Sequence, residues 1–359
     1  MSVSLSIETI RAAGRELGLV VAAAPPELPP RLEAFLRAKA RAGEYPAFTE
    51  RDPARRSPAA AFPGVRSVIT AALPYWPTEE DDGWDGSRPR GLRGFLSRYC
   101  RGLDYHRVLR ERLTALAGRL GLTDYLVQVD ASPLEERALA EASGLGSYGA
   151  NCLIHVGPYG PWVFLGELLV TFEVGGVSPV EGGCRGCLEC VRACPTGALR
   201  GPFDLVPDRC LSYLTQMRGT IPRRYRRALG VRVFGCDTCQ LSCPSFKRLN
   251  RVSYPGSSPR LDLRWLVDMS SREFRRVWGP SAIGWRGAGI LKRNALVALG
   301  NVGEEALPYI RRGLEDPRPY VRRHAAWALG AAGASREELK RAYAREADPT
   351  VRGELELWL

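Results

Sequence analysis

The sequence predicts a three-part protein of the α+β or α/β class, and three observations carry that reading. Strand and helix patterns alternate over residues 1–178, cysteines crowd residues 179–255, and residues 256–359 hold a helical repeat. With 359 residues and 45% hydrophobic side chains, the chain has material for more than one core. No apolar run approaches the ~18 residues that a membrane-spanning helix needs.

The first region reads element by element. Residues 1–18 pattern as an amphipathic helix, without the basic stretch, apolar stretch and cleavage site of a signal peptide and without a twin-Arg export signal. A cytoplasmic protein is expected, in a compartment that keeps thiols reduced. The apolar run 67–73 is a strand candidate, residues 105–120 carry helical apolar spacing, and 125–129 form a second strand candidate ending at Asp130. Ser132-Pro133-Leu134-Glu135 then fits a capping box with Pro at the first helical position, opening a helix over 135–142 that stops at Gly144. Residues 151–156 and 162–171 flank Gly157-Pro158-Tyr159-Gly160-Pro161, the pattern of two strands joined by a tight loop.

The cysteine region carries the most specific signal. Residues 184–195 read Cys184-x-x-Cys187-x-x-Cys190-x-x-x-Cys194-Pro195; residues 236–244 read Cys236-x-x-Cys239-x-x-x-Cys243-Pro244, with Cys210 upstream. A cubane needs four thiolates at its corners. The two-residue spacing wraps the backbone around one cluster, and the Cys before Pro leaves on a helix toward the other. This predicts a ferredoxin-like domain with two [4Fe–4S] clusters. Cys184, Cys187, Cys190 and Cys243 hold one; Cys210, Cys236, Cys239 and Cys194 hold the other. Crossed ligation of this kind keeps the clusters close enough to pass single electrons. The rival, two all-cysteine zinc sites, leaves the doubled Cys-Pro ending unexplained. Of the two remaining cysteines, Cys152 lies in an apolar stretch and reads as a buried structural thiol, whereas Cys100 is either buried or faces a site.

In the third region, Leu291-Lys292-Arg293-Asn294 through Leu299-Gly300 returns 30 residues later as Val321-Arg322-Arg323-His324 through Leu329-Gly330. Val351-Arg352 begins it again, and Asp348-Pro349 echoes Asp316-Pro317. This is a short HEAT-like α-helical repeat, either a stabilising stack or a binding surface, with Arg at the helix starts. The formal net charge is +12, of which two clusters with their thiolates leave about +8. A polyanion such as RNA is a fitting partner; a solvated Arg-rich surface is the plain alternative.

Together the residues resemble a known family. Asp104-Tyr105-His106, Val129-Asp130, Gly144-Leu145-Gly146 and the two cysteine motifs follow one another in its order. So do Arg209-Cys210-Leu211-Ser212-Tyr213-Leu214-Thr215-Gln216, Gly235-Cys236-Asp237-Thr238-Cys239-Gln240 and Trp285-Arg286-Gly287. Over nearly its whole length the chain resembles the epoxyqueuosine reductases, which act in queuosine synthesis on tRNA.

The resemblance implies a cobalamin held by the N-terminal α/β domain and the cluster domain, and epoxyqueuosine at the wobble position of a tRNA anticodon as substrate. It implies Asp130 as proton donor, with a raised pKa from burial beside the corrin, and contacts to cobalamin from Arg56, Ser97, Ile154, Leu165, Ser212, Asp237 and Thr238. Some members carry Cys where this chain has Ser97. Tyr105 and His106 either line the site or merely start a helix. For tRNA, the run from Arg218 to Arg227 is the candidate: Arg218, Arg223 and Arg224 for phosphates and Tyr225 for stacking on a base. Arg293, Arg322 and Arg323 offer a second line. A monomer served by a separate, unidentified electron donor is expected. The alternatives are a corrinoid reductive dehalogenase-like reductase, against which the missing export signal and the repeats count, and a non-catalytic iron–sulfur electron carrier.

Overall fold

The computed structural model describes residues 5–27, 30–43, 57–76, 83–130, 134–175, 183–201, 204–255 and 261–359. They group into two compact units that interleave along the chain. Met1–Asp81, Asp104–Pro207 and Cys239–Pro255 form the first; Asp82–Leu103, Asp208–Thr238 and Gly256–Leu359 form the second.

The first unit is built on a four-stranded sheet in the order Val20–Ala24, Ser67–Pro74, Val163–Val170, Tyr125–Gln128, with every pairing antiparallel. All eight residues of Ser67–Pro74 are buried, so its sequence is a continuous apolar run rather than an alternation. Helices cover both faces. Tyr105–Arg119 lies so close on one face that a Cβ at Gly166 would stand 3.0 Å from Leu109 and 3.1 Å from Leu113. Glu136–Ala142 covers the other, with Leu139 against Val68 and Leu169, and Ala140 against Ala22 and Ala72. Alternation along Val163–Val170 therefore puts Phe164, Gly166 and Leu168 beneath the first helix and Leu165, Glu167 and Leu169 beneath the second.

Two local expectations change. The capping box rests on Ser132 and Pro133, which lie outside the described residues; the helix starts at Glu136, with Glu135 as an N-cap residue whose side chain makes no cap bond. The strands expected at 151–156 and 162–171 do not form a hairpin. Ile154–His155 pairs with Ser147–Tyr148, while Val163–Val170 joins the main sheet. A long buried strand with eight residues to pair outcompetes the short hairpin, which survives as one bridge between Val156 and Gly160.

In the second unit Phe95–Leu96 pairs in parallel with Arg232–Phe234, and helices make up most of the rest. The repeat is helical as expected. The repeated motif forms the helices Ala288–Val302, Pro319–Ala331 and Pro349–Glu356, with Leu307–Gly313 and Arg336–Arg345 returning between them. The repeated Gly has a steric cause at Gly300, where a Cβ would stand 2.8 Å from the Cα of Ala328 on the next repeat. Among the described residues, no helix is long and apolar enough to cross a membrane.

Candidate active site and cluster ligands

The strand Tyr125–Gln128 runs out at Asp130, whose backbone takes φ +47°, a conformation uncommon for a residue with a side chain. Its amide donates to Glu136 Oε1 on the following helix. Its carboxylate, with 52% of the side chain exposed, accepts at one oxygen from the Tyr105 hydroxyl and lies 3.1 Å from His106 Nε2. Tyr105 and His106 open the helix Tyr105–Arg119, capped by Asp104, whose side chain accepts from the His106 amide. The same Asp104 oxygen stands 2.6 Å from His106 Nδ1. Tyr105 stacks on His106 at 4.1 Å and, with the rings almost parallel, on Phe164 at 4.2 Å. The helix start, the strand end and the sheet thus bring Asp104, Tyr105, His106 and Asp130 together.

Electrostatics sort these groups. Burial works to raise Asp130, but hydrogen bonds from His106 and Tyr105 outweigh it and hold its carboxyl below the ordinary range. Burial works against the His106 imidazolium, but hydrogen bonds to Asp104 and Asp130 outweigh that and carry its pKa up to about 9. Without a corrin against it, Asp130 is favoured as the carboxylate and His106 as the imidazolium. Two carboxyls that sequence reasoning missed lie behind Asp130. Burial pushes Glu167 up to about 8 and Glu136 well above its usual range, each helped by the charge of Asp130. Among the described residues, the buried Glu167 Oε2 has no hydrogen-bond partner. The signal available in sequence was one carboxylate in the otherwise apolar run VFLGELLV.

Four cysteines of the first unit shape the cluster region in the described residues 183–201. Leu188, in the left-handed conformation, caps the short helix Glu189–Ala193 that carries Cys190, and Cys194 ends it in an extended conformation that Pro195 favours. Ser147 Oγ accepts from the Cys184 amide, and the Gly186 amide points at Cys184 Sγ at 3.4 Å. Burial raises Cys190 to about 11, and the nearby charges of Cys184 and Cys243 add to this. Cys184, Cys190 and Cys243 thus share one neighbourhood, across some fifty residues of chain. Four thiolates fit a cationic cluster, which offsets their mutual repulsion. Cys194 and Cys239 belong to the first unit and Cys210 and Cys236 to the second. Backbone hydrogen bonds from Leu199 and Thr196 outweigh burial at Cys194 and lower its pKa toward the thiolate. Cys152 is a buried thiol directed at the Gly201 carbonyl, and Cys100 is likewise buried and directed at the Ser97 carbonyl, its pKa raised by burial.

The residues expected around cobalamin divide by what their side chains already do. Arg56 lies outside the described residues. Leu165 and Ser212 are half-buried and keep surface to offer a ligand. Ile154 is packed among Ala22, Ala72 and Leu145. Ser97 donates to Asp237, which is fully buried and also accepts from the Arg98 amide and guanidinium at 3.0 and 2.9 Å. Thr238 donates to Asp85 at 2.8 Å and accepts from Arg232 at 2.7 Å.

The arginines divide too. Arg218 and Arg224 are exposed. Arg223 pairs with the buried Glu354 at 3.0 Å and stacks over Trp358. Tyr225 is buried, which removes the expected base-stacking face. Arg293 is fully buried, so it offers nothing to a phosphate: it donates to the carbonyls of Leu214, Thr215, Met217 and Gly219 at 2.7–3.2 Å. Its repeat equivalent Arg323 pairs with Glu354, and Arg322 with Glu346. The next pair behaves alike: Asn294 donates to the carbonyls of Thr215 and Val233, and His324 Nε2 accepts from the Ile221 amide. The repeat therefore braces residues 214–233, which lie between Cys210 and Cys236.

Comparison with known proteins gives consistent findings. Residues 55–131 match the family described as epoxyqueuosine reductase QueG, DUF1730; residues 183–245 match a 4Fe-4S double cluster binding domain; residues 288–359 match HEAT repeats. The epoxyqueuosine reductase of Bacillus subtilis is 36% identical over 328 residues, covering 88% of this chain and 84% of the relative. That of Bacillus cereus is 37% identical over 314 residues, covering 84% and 82%. A crystal structure of an epoxyqueuosine reductase with an epoxyqueuosine-modified tRNA-Tyr stem loop superposes with TM-score 0.87 at 33% identity, over 97% of this chain and 96% of that one. A structure of the Bacillus subtilis enzyme, with an aspartate-bearing catalytic loop swung out of the active site, gives 0.86 at 34% identity over the same shares.

Proposed function

The chain belongs to the epoxyqueuosine reductase family, and from that premise we propose how its own residues carry the reaction. The chain is an oxidoreductase that reduces epoxyqueuosine to queuosine in tRNA, and its double-cluster segment binds iron–sulfur clusters. In that reduction both C–O bonds of the epoxide break, two electrons and two protons enter, water leaves and a double bond remains.

Electrons enter from a separate donor and pass through two [4Fe–4S] clusters in the two cysteine sets. The shared neighbourhood of Cys184, Cys190 and Cys243 supports the first set. The cofactor at the epoxide would be cobalamin, and the residues that would hold it are Arg56, Ser97, Ile154, Leu165, Ser212, Asp237 and Thr238. When bound, cobalamin supplies a low-valent cobalt that gathers single electrons and acts on the epoxide. Asp130 hands a proton to the departing oxygen. The observation that carries this is its exposed carboxylate at a strand end, receiving the Tyr105 hydroxyl and His106 Nε2 together. Arg218 and Arg224, exposed on a chain of net charge +12, serve the tRNA phosphates. The enzyme acts as a cytoplasmic monomer.

The test is anaerobic reconstitution followed by single-turnover reduction. Corrin absorption beside the broad cluster bands is expected. Asp130→Asn should keep clusters, cobalamin and tRNA affinity while slowing the chemical step ~10²–10⁴-fold, the usual range for general acid catalysis. Near-normal turnover in that variant rules out Asp130; cluster absorption without corrin bands or turnover supports the electron carrier instead.

A further inference from the structure

We infer that His106 is the proton store of this reaction, passing its Nε2 proton to Asp130 as Asp130 protonates the epoxide oxygen, with Asp104 as the positioning residue that orients the ring. The inference deepens the reading of Asp130 as the residue that meets that oxygen. A donor must hold a proton when the oxygen departs, and Asp130 sits where it does not hold one at rest. Its proton has to arrive from a neighbour during the step.

The geometry supplies that neighbour. Asp104 Oδ1, His106 Nδ1, His106 Nε2 and Asp130 Oδ2 form one continuous chain, with spacings of 2.6 and 3.1 Å at its two hydrogen bonds. With a carboxylate at each end, both ring nitrogens are donors, which is the imidazolium. Asp104 is the N-cap of the helix that carries His106, so capping and ring orientation share one side chain. The ring is held flat against Tyr105, itself stacked on Phe164, so rotation away from Asp130 is hindered. The other groups around the pair favour the same arrangement: Arg107 faces Asp104, Arg137 faces Asp130, and the Tyr105 hydroxyl donates to the oxygen that His106 serves. Tyr254 is held protonated by burial and by the charge of Asp104. Glu136 and Glu167 are kept neutral by burial, so they do not compete for the imidazolium.

Charge balances along the line. The Asp130 carboxylate takes the His106 proton and hands it on to oxygen, so Asp130 ends as the carboxylate it began as, His106 becomes neutral, and solvent reprotonates its exposed edge. The two electrons come from the clusters that the reductase already uses, and the second proton that completes water comes from solvent.

The chain has three histidines, which makes the test direct. Burial lowers His155 to about 4 and His324 well below the usual value. In the full-length holoprotein with ring-labelled histidine, NMR should record one ring titrating near 9, absent in His106→Gln. In Asp104→Asn that ring should move toward the ordinary ~6.5. In single turnover, the wild-type rate should fall as pH rises through the same value. His106→Gln should lose ~10²-fold or more, with that alkaline limb gone and tRNA affinity unchanged. Adding Asp130→Asn to it should cost little more, since the two act as one path. A wild-type His106 that titrates at or below ~6.5 overturns the inference without any use of activity. A His106→Gln enzyme that keeps its rate within about twofold and its pH profile overturns it as well. If Asp130→Asn is near-normal while His106 still titrates near 9, the reading of Asp130 has failed and the relay with it.

Discussion

Arg293→Met separates a brace from a nucleic-acid contact. The guanidinium is fully buried and makes five hydrogen bonds, four of them to main-chain carbonyls between Leu214 and Gly219, at 2.7–3.2 Å, and one to Asn294 at 2.9 Å. Thr215 O keeps a donor in Asn294, but the carbonyls of Leu214, Met217 and Gly219 lose this one. A buried acceptor left unsatisfied costs about 1–3 kcal/mol. Methionine fills most of the volume, and release of a buried charge gives part back. The net expectation is a loss of about 3–5 kcal/mol. Anaerobic urea unfolding, followed by tryptophan fluorescence, measures it as a lower midpoint at unchanged slope. The weakened segment follows Cys210, which caps the helix Leu211–Gln216, so iron retention on dilution should fall as well. For the variant that remains folded, tRNA affinity and its salt slope should equal wild type. A stability loss under ~1 kcal/mol together with a flatter salt slope would refute the reasoning and return Arg293 to the RNA surface.

Three further outcomes are expected. Iron and sulfide should each number about eight per chain, and Cys194→Ala should remove the cluster of Cys210, Cys236 and Cys239; loss of the Cys184–Cys190 cluster alone would break the crossed assignment. Arg218→Ala with Arg224→Ala should weaken tRNA binding and lower its salt slope by ~0.7–0.9 for each phosphate no longer neutralised, whereas Arg223→Ala should act mainly on stability because it strips a partner from buried Glu354. Glu167 has a folded pKa of about 8, above its ordinary 4.5, so it binds more protons folded than unfolded between those values and costs stability as pH rises from 4.5 toward 8. Glu167→Gln should therefore be more stable than wild type at pH 8, by up to about 5 kcal/mol, and nearly equal at pH 4.5; parallel stability curves would contradict a buried neutral Glu167.

What the sequence alone determined was what spacing determines. The Cys-x-x-Cys runs ending in Cys-Pro, the 30-residue repeat and the run 67–73 are local patterns, and each encodes a local geometry: a cluster loop, a helical hairpin, a fully covered strand. The order of motifs also carried the family. Partners far apart in the chain were decided by packing alone. Val163–Val170 reads as half of a hairpin until Ser67–Pro74 competes for its hydrogen bonds. Arg293 and Arg218 are the same residue type, yet one is a buried brace and the other exposed, because only the fold decides which segment covers each. Asp130 shows the limit most clearly. Its position at a strand end was legible, but its charge was not. A pKa belongs to the surroundings, and those come from Asp104, Tyr105 and His106 on another element and from Glu136 and Glu167 behind it. The sequence names the groups that handle the proton, and the tertiary structure decides which of them holds it.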